Sequence, residues 1–436
     1  MKKILGRTVK ILLLSVFLSS ILIFSACTDS ATDVPESDSV TLKLFSNLPD
    51  RKNGQGLIEQ MVIDSYMSEH PGVKIEVESL DEEAYKTKFK AYAMDGMPDI
   101  VSIWGQPAFL DEIIDAGLLM ELSPDDYTDY NFKEGAFEGF SKNGHLYGLP
   151  RNTDMIAFYY NKKIFEENDI ALPKTLDDFA RVCERLNSLE IIPIAMDGMD
   201  GWPLVEYYDN LLFRVAGKGR EELISNAIKN ADFSDGRFYT ALNMLKKDVN
   251  RGFFQPDFAY SDYGTAMSLF TGGNAAMYYM GSWEASMAVN DALGPVFREN
   301  IGVFSMPSHS GRPYSSKDAM VWFGGGYALS ASTDYPEEAK DFLNYMFKPE
   351  HLSKFGWENG VGMSAQDQSD FMTGNETSLQ KAWLRILNEA DTISNTPIND
   401  MGSSEFKNVM ESNITRVALG ELSADEFFKT LEEACR

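Results

Sequence analysis

Four of the six tryptophans in this chain, Trp104, Trp202, Trp283 and Trp322, fall where strands are expected to end or to cross between domains. Trp357 and Trp383 do not. Polar side chains sit at comparable places: Asn47, Asp50, Arg51, Gln106 and Asp154. An indole face covers the C–H face of a ring-shaped ligand, while carboxylates and amides at its rim take hydroxyls. That is the surface pattern of a sugar ring. For each polar residue the competing reading is loop solvation or a helix cap, and Trp283 could instead plug a core. The chemistry indicated is binding rather than bond breaking. No Gly-x-Ser-x-Gly elbow, His-Glu-x-x-His or phosphate-cradling Gly-x4-Gly-Lys-Ser/Thr occurs, and Cys-x-x-Cys and EF-hand patterns are absent. His70, His145, His309 and His351 are scattered, so they read as surface or cap residues, and no metal is expected. Acidic residues are plentiful, yet nothing singles out a carboxylate pair for glycoside hydrolysis.

The stretch that must position Trp283 is Leu269–Trp283. It reads as a helix end, a turn at Gly272 and Gly273 where positive φ is affordable, and a short apolar strand, Ala275–Met280. A run this short and this apolar suits a strand covered on both faces. Gly281-Ser282 then breaks it and leaves Trp283 at the carboxyl end, where open α/β sheets bind ligands.

This stretch resembles the corresponding segment of bacterial extracellular solute-binding proteins, the receptors of sugar-importing ABC transporters. Four further segments match in the same order: Met97-Pro-Asp-Ile-Val-Ser-Ile-Trp104; Tyr147-Gly-Leu-Pro150 followed by Ala157-Phe-Tyr-Tyr-Asn-Lys162; Pro173-Lys-Thr-Leu-Asp-Asp-Phe179; and Gly326-Tyr-Ala-Leu-Ser330 followed by Pro336-Glu-Glu-Ala-Lys-Asp-Phe342. The resemblance, of the maltodextrin-binding type, covers nearly the whole mature chain. It implies a receptor, not an enzyme, that takes a mono- or oligosaccharide between two closing lobes and docks on permease subunits, without a cofactor. It supports Trp104, Asp154 and Trp283 best, because each lies in or beside a matching segment. Asn47, Asp50, Arg51 and Trp202 have looser support, and Trp322 rests on position alone.

Composition agrees with an exported globular receptor. The 436 residues allow two domains, and 44% hydrophobic with 12% aromatic content argues against extensive disorder. The formal charge is −27 and becomes about −31 without residues 1–26, which hold Lys2, Lys3, Arg7 and Lys10 and no acid. Such a surface disfavours nucleic acid and anionic membranes as partners. Residues 1–26 read as a signal peptide whose apolar run, Ile11–Phe24, spans about 21 Å as a helix, short of a roughly 30 Å hydrocarbon core. Phe24-Ser-Ala-Cys27 resembles a lipoprotein signal, although an aliphatic residue is usual at the position of Phe24. The implication is lipidation at Cys27, a flexible tether over 27–39, and a monomer anchored on the outer face of a Gram-positive cytoplasmic membrane. Cys183 falls in a helical pattern and reads as a buried small hydrophobe. A bridge to the penultimate Cys435 is the less favoured alternative.

The chain order predicts the fold class α/β, as a two-lobed periplasmic-binding-protein fold. Each lobe is expected to be a mostly parallel sheet flanked by helices, because strands and helices alternate from Val40 to Ile103. Lobe 1 is expected over 40–151 plus about 317–362, and lobe 2 over 152–316 plus about 363–436. At least two crossing strands form a hinge, one near Asn152 and one between about 307 and 323. After Trp283 a helix should lead to the strand at Ile301. Two other functions compete. One is the same receptor binding a polyamine or another cation, with Asp50 and Asp154 as counter-charges; the other is a surface-anchored glycoside-degrading enzyme.

Overall fold

The computed structural model describes residues 39–309 and 317–436. The signal segment, Cys27 and the tether up to residue 38 lie outside the described residues. The first pass of the chain alternates strand and helix: β1 (Val40–Ser46), α1 (Gly54–Glu69), β2 (Val73–Ser79), α2 (Glu82–Asp95), β3 (Ile100–Trp104) and α3 (Pro107–Asp115). Leu42, Leu44 and Phe45 of β1 are buried, and β1 lies parallel to β2 and β3. Asp81 starts α2 by accepting from the Ala84 N–H, and Glu82 and Glu83 favour the positive end of its dipole. A small hairpin, β4 (Ser141–Lys142) with β5 (His145–Leu146), precedes the short β6 (Leu149–Pro150).

At Arg151-Asn152 the chain enters the second lobe as β7 (Thr153–Asn161), whose first seven residues are all buried. Then follow α4 (Lys162–Glu167), α5 (Leu176–Ser188), β8 (Ile192–Ala195), α6 (Trp202–Ala216), α7 (Arg220–Asn230), α8 (Gly236–Asn250), α9 (Tyr263–Thr271), β9 (Ala275–Gly281), α10 (Pro295–Glu299), β10 (Ile301–Phe304) and β11 (Ala319–Phe323). Thr175 caps α5, with Asp178 closing a reciprocal capping box. Every residue of α6 is buried, and every residue of β9 as well. The chain returns through Gly324 to β12 (Gly325–Leu329), α11 (Pro336–Phe347) and α12 (Leu352–Glu358). It ends with α13 (Ser378–Asn388), β13 (Ile393–Ser394), α14 (Ser404–Leu419) and α15 (Ala424–Ala434).

Strand order is β2-β1-β3-β12-β6 in the first sheet and β13-β11-β7-β9-β8 in the second, with β10 also against β7. Neither sheet is mostly parallel, contrary to the alternation read from the sequence. β12 runs antiparallel to β3 and β6, and β7 runs antiparallel to β9, β10 and β11. The hinge is the reason. A strand leaving a lobe and one returning to it run in opposite directions, so neighbours at a crossing pair antiparallel.

β11 pairs with β7, so residues 319–323 lie in the second sheet and the return falls at Gly324. A third crossing follows α12, where Ser364 bridges Asn152 and the Thr153 N–H donates to Met363 O at 2.9 Å. Other departures are local. Gly273 alone takes positive φ (74°), Gly272 being at −75°. α3 stops at Asp115, with Gly117 in the left-handed region at 67°. Two 3-10 turns (Ser282–Ala288 and Asp291–Leu293) and α10 replace a single helix after Trp283. Cys183 and Cys435 are free thiols, the first fully buried.

Candidate functional site

Gly281 has an ordinary extended backbone (φ −83°, ψ 169°), yet only glycine fits there. A Cβ would stand 2.1 Å from the ring of Trp283, which folds back over it. The Trp283 Nε1–H donates to the Tyr263 hydroxyl at 3.0 Å, and that hydroxyl donates to Glu284. Trp283 lies 5.9 Å from Trp202, at the start of α6, and 6.3 Å edge-on from Trp322 of β11. Three tryptophans from three elements thus form one cluster at the carboxyl end of β9. Trp104 ends β3 on the other lobe, between Tyr85 and Phe109 at 5.7 and 5.0 Å, with the Lys86 ammonium 5.7 Å from its ring centre. Trp357 and Trp383 belong to the core, and so do Trp202 and Trp322, 8% and 7% exposed, which leaves Trp283 as the partly exposed ring of the cluster.

Asp154 faces Trp322 across the β7–β11 register and is 6% exposed. A Cβ on Gly324 would fall 1.8 Å from its Oδ2, so the glycine of the second crossing is what admits the carboxyl group. Burial pushes Asp154 up to about 7, against the charge of Arg151 and hydrogen bonds from Gly325 and Asn152. Gln106 is buried at the start of α3 and makes no side-chain cap bond there. Asn47 has a buried Oδ1 with no partner among the described residues. Asp50 is engaged within its own loop and Arg51 with α1. Asp50 accepts from the N–H groups of Lys52 and Asn53 at 3.0 and 3.2 Å, and Arg51 pairs with buried Glu59 and donates to Gln60.

Other charged groups gather between the lobes without having been singled out in the sequence. Lys86 binds Glu82 and Glu83 at 2.7 and 2.8 Å. Burial opposes its charge, but those carboxylates and Glu411 of the other lobe outweigh it and raise its pKa. Lys407 binds Asp400 at 2.5 Å and Glu411 at 3.4 Å, and Asn399 donates to Glu411 at 2.8 Å. The lobes are in contact: Ser404 donates to Glu112, Ser286 lies against Gly54, and Gln380 donates to Trp357 O at 2.9 Å. A helical offset is the one sequence signal that leads further, since Glu206 follows Trp202 by four residues on α6.

Three carboxyl groups near the cluster are displaced in one direction. Burial raises Asp154 and Glu284 to about 7 each, and burial with the neighbouring Asp200 raises Asp197 to about 8. Each keeps a proton in the folded state that the unfolded chain loses above about pH 4. Their contribution to stability is therefore complete in acid and is lost as pH climbs towards their folded values. Carboxylates held low, such as Asp178 and Asp235, act only below their ordinary range. The melting temperature of the ligand-free protein should consequently fall from about pH 5 to about pH 8. A profile that is flat or rising across that window would refute the displaced carboxyls.

A cavity of about 490 Å³ lies away from this cluster, between α7 and α8, and includes Glu222, Asn226 and Asp232 in its lining. Among the described residues no group of acidic, histidine or cysteine side chains could hold a metal ion, and no helix is long and apolar enough to cross a membrane. Residues 50–351 match the family described as bacterial extracellular solute-binding proteins. The chain belongs to that family. A multiple sugar-binding protein of Streptococcus mutans is 25% identical over 346 residues, 78% of each chain. Among solved structures, a protein from work on xylan utilisation by Caldanaerobius polysaccharolyticus superposes with a TM-score of 0.82, at 22% identity, over 90% of this chain and 99% of that one. A solute-binding protein in complex with raffinose gives 0.70 at 23% identity, over 90% and 100%. The structural likenesses establish the two-lobed fold of a solute-binding protein, with the tryptophan cluster on one lobe and Trp104 on the other.

Proposed function

We propose that this solute-binding protein captures a carbohydrate between its lobes and hands it to the permease of an ABC transporter. The observation that carries the reading is the cluster of Trp202, Trp283 and Trp322 around buried Asp154, with Trp104 and Lys86 contributed by the other lobe. Aromatic faces beside carboxyl groups suit a ring with C–H faces and hydroxyl edges. The names of its relatives, a multiple sugar-binding protein and a raffinose complex, point the same way. Ligand contacts made from both lobes favour the closed form, so capture proceeds by closure and needs no covalent chemistry. Lipidation at Cys27, a monomeric state and a place on the outer face of a Gram-positive cytoplasmic membrane complete the proposal. Gln106 and Asn47 are further ligand contacts in it; Asp50 and Arg51 act by shaping their loop.

A thermal-shift screen of residues 28–436 against raffinose, stachyose, xylo-oligosaccharides, spermidine and amino acids tests this. A sugar at about 100 times its Kd adds about 2.7 kcal/mol, a shift of several degrees or less at this size. A response confined to sugars, with no shortened product, is the expected result. A response to spermidine alone, falling steeply with salt, would replace the sugar by a cation, and released product would make the protein a hydrolase.

A further inference from the structure

We propose that Glu206 is a specificity-determining ligand contact whose carboxyl group receives two neighbouring hydroxyls of the sugar. The inference rests on the carbohydrate reading above and concerns a residue on α6, outside the tryptophan cluster itself. Glu206 lies one helical turn beyond Trp202, on the same face of α6, and is 4% exposed. Its Oε2 is buried without a partner among the described residues. Leaving such a group unsatisfied costs stability, more so if it is charged.

Glu59 shows that this fold can satisfy a buried glutamate. It is also fully buried, and it accepts from Ser46 at 2.9 Å, from Tyr327 and from Arg51. Glu206 has none of these. The charged groups around it are Asp400, Lys407, Asp209 and Asp154. Lys407 is taken by Asp400 and Glu411, and Asp209 by Arg220. Burial, reinforced by the neighbouring acids, holds the carboxyl well above the usual range.

Two of these charged neighbours face the first lobe. Asp154 feels Glu82 of the first lobe, and Lys407 feels Lys86. An orphaned buried carboxyl one helical turn from a tryptophan platform needs donors that arrive with the ligand. Two adjacent hydroxyls donating to its two oxygens favour the ionised carboxyl, so capture releases the proton that burial holds on the ligand-free group. A sugar lacking one of them would leave the carboxyl half-paired, and a site built to hydrogen-bond a hydroxyl rejects the deoxy analogue strongly.

Calorimetric titration of residues 28–436, wild type and Glu206→Gln, with raffinose, a xylo-oligosaccharide and monodeoxy analogues of whichever binds, decides the matter. In the wild type one deoxy position should cost about tenfold or more in Kd, and E206Q should lose about as much on the parent sugar while becoming indifferent to that position. Ligand-free Glu206→Leu should melt no lower than wild type, because no protein partner is lost. Equal affinity of E206Q and wild type, with an unchanged deoxy profile, would overturn the assignment and leave the carbohydrate reading standing. Preference for an amino sugar, weakening steeply with salt, would overturn the hydroxyl assignment. Failure of the wild type to bind any sugar would overturn both.

Discussion

Trp283→Ala should weaken sugar binding by at least about tenfold, equivalent to about 1.4 kcal/mol, while the protein stays folded. The ring is partly buried and held by four residues: Gly281 beneath it, Trp202 and Trp322 at its edges, and Tyr263 on its Nε1. Such fixed aromatic surface at a ligand face concentrates binding energy, as hot-spot residues do. Its partial exposure keeps the stability loss below the roughly 3–5 kcal/mol of a fully buried tryptophan. A second variant separates the ring's position from its presence. Gly281→Ala adds a Cβ 2.1 Å from the ring at a backbone geometry any residue adopts, so it displaces Trp283 by contact alone. G281A should therefore bind nearly as poorly as W283A. Calorimetry and melting curves on both variants are sufficient. Near-wild-type affinity in W283A with unchanged melting would remove Trp283 from the site.

Trp283 could be found in the sequence because its signal is local. Gly281-Ser282 after a short apolar run ends a strand, and the ring after the break is delivered to the sheet's edge. Trp202 was legible for the same reason, through Gly201 and Pro203 at the start of α6. Lys86, Glu206 and the Asp400–Lys407–Glu411 group were not. Each looks like an ordinary helix or loop charge, and only the tertiary packing of segments more than 100 residues apart brings them together. Asp50 and Arg51 have types that suit a ligand, and the partners they meet in the structure lie in the loop for Asp50 and on α1 for Arg51. The mixed sheets were hidden by the hinge. Alternation predicts parallel pairing within a lobe, and it is blind to strands such as β7 and β12 that enter from the other one.

Arg220→Ala should be the most damaging single change to stability, at about 3–5 kcal/mol and a fall in melting temperature of roughly 5–10 °C. Arg220 and Asp209 are 1% and 0% exposed and bond through two nitrogens, Nε to Oδ1 at 2.8 Å and Nη2 to Oδ2. Removing one partner leaves the other charge buried and unpaired, which costs more than the pair itself contributes. The same two side chains anchor backbone next to the cleft. Arg220 Nη2 donates to Thr396 O at 3.0 Å, and Asp209 Oδ2 accepts from the Ile398 N–H at 2.8 Å. The next two residues are Asn399 and Asp400, which join the interlobe group through Glu411 and Lys407. Stability and affinity should therefore separate in the double variant Asp209→Leu with Arg220→Met. Its apolar pair removes the unpaired charge, so it should melt above R220A. It restores neither backbone anchor, so sugar affinity should remain reduced. Recovery of both properties together would make the pair purely structural, whereas recovery of stability alone would tie α6 and α7 to the placement of the Asn399–Asp400 turn in the cleft.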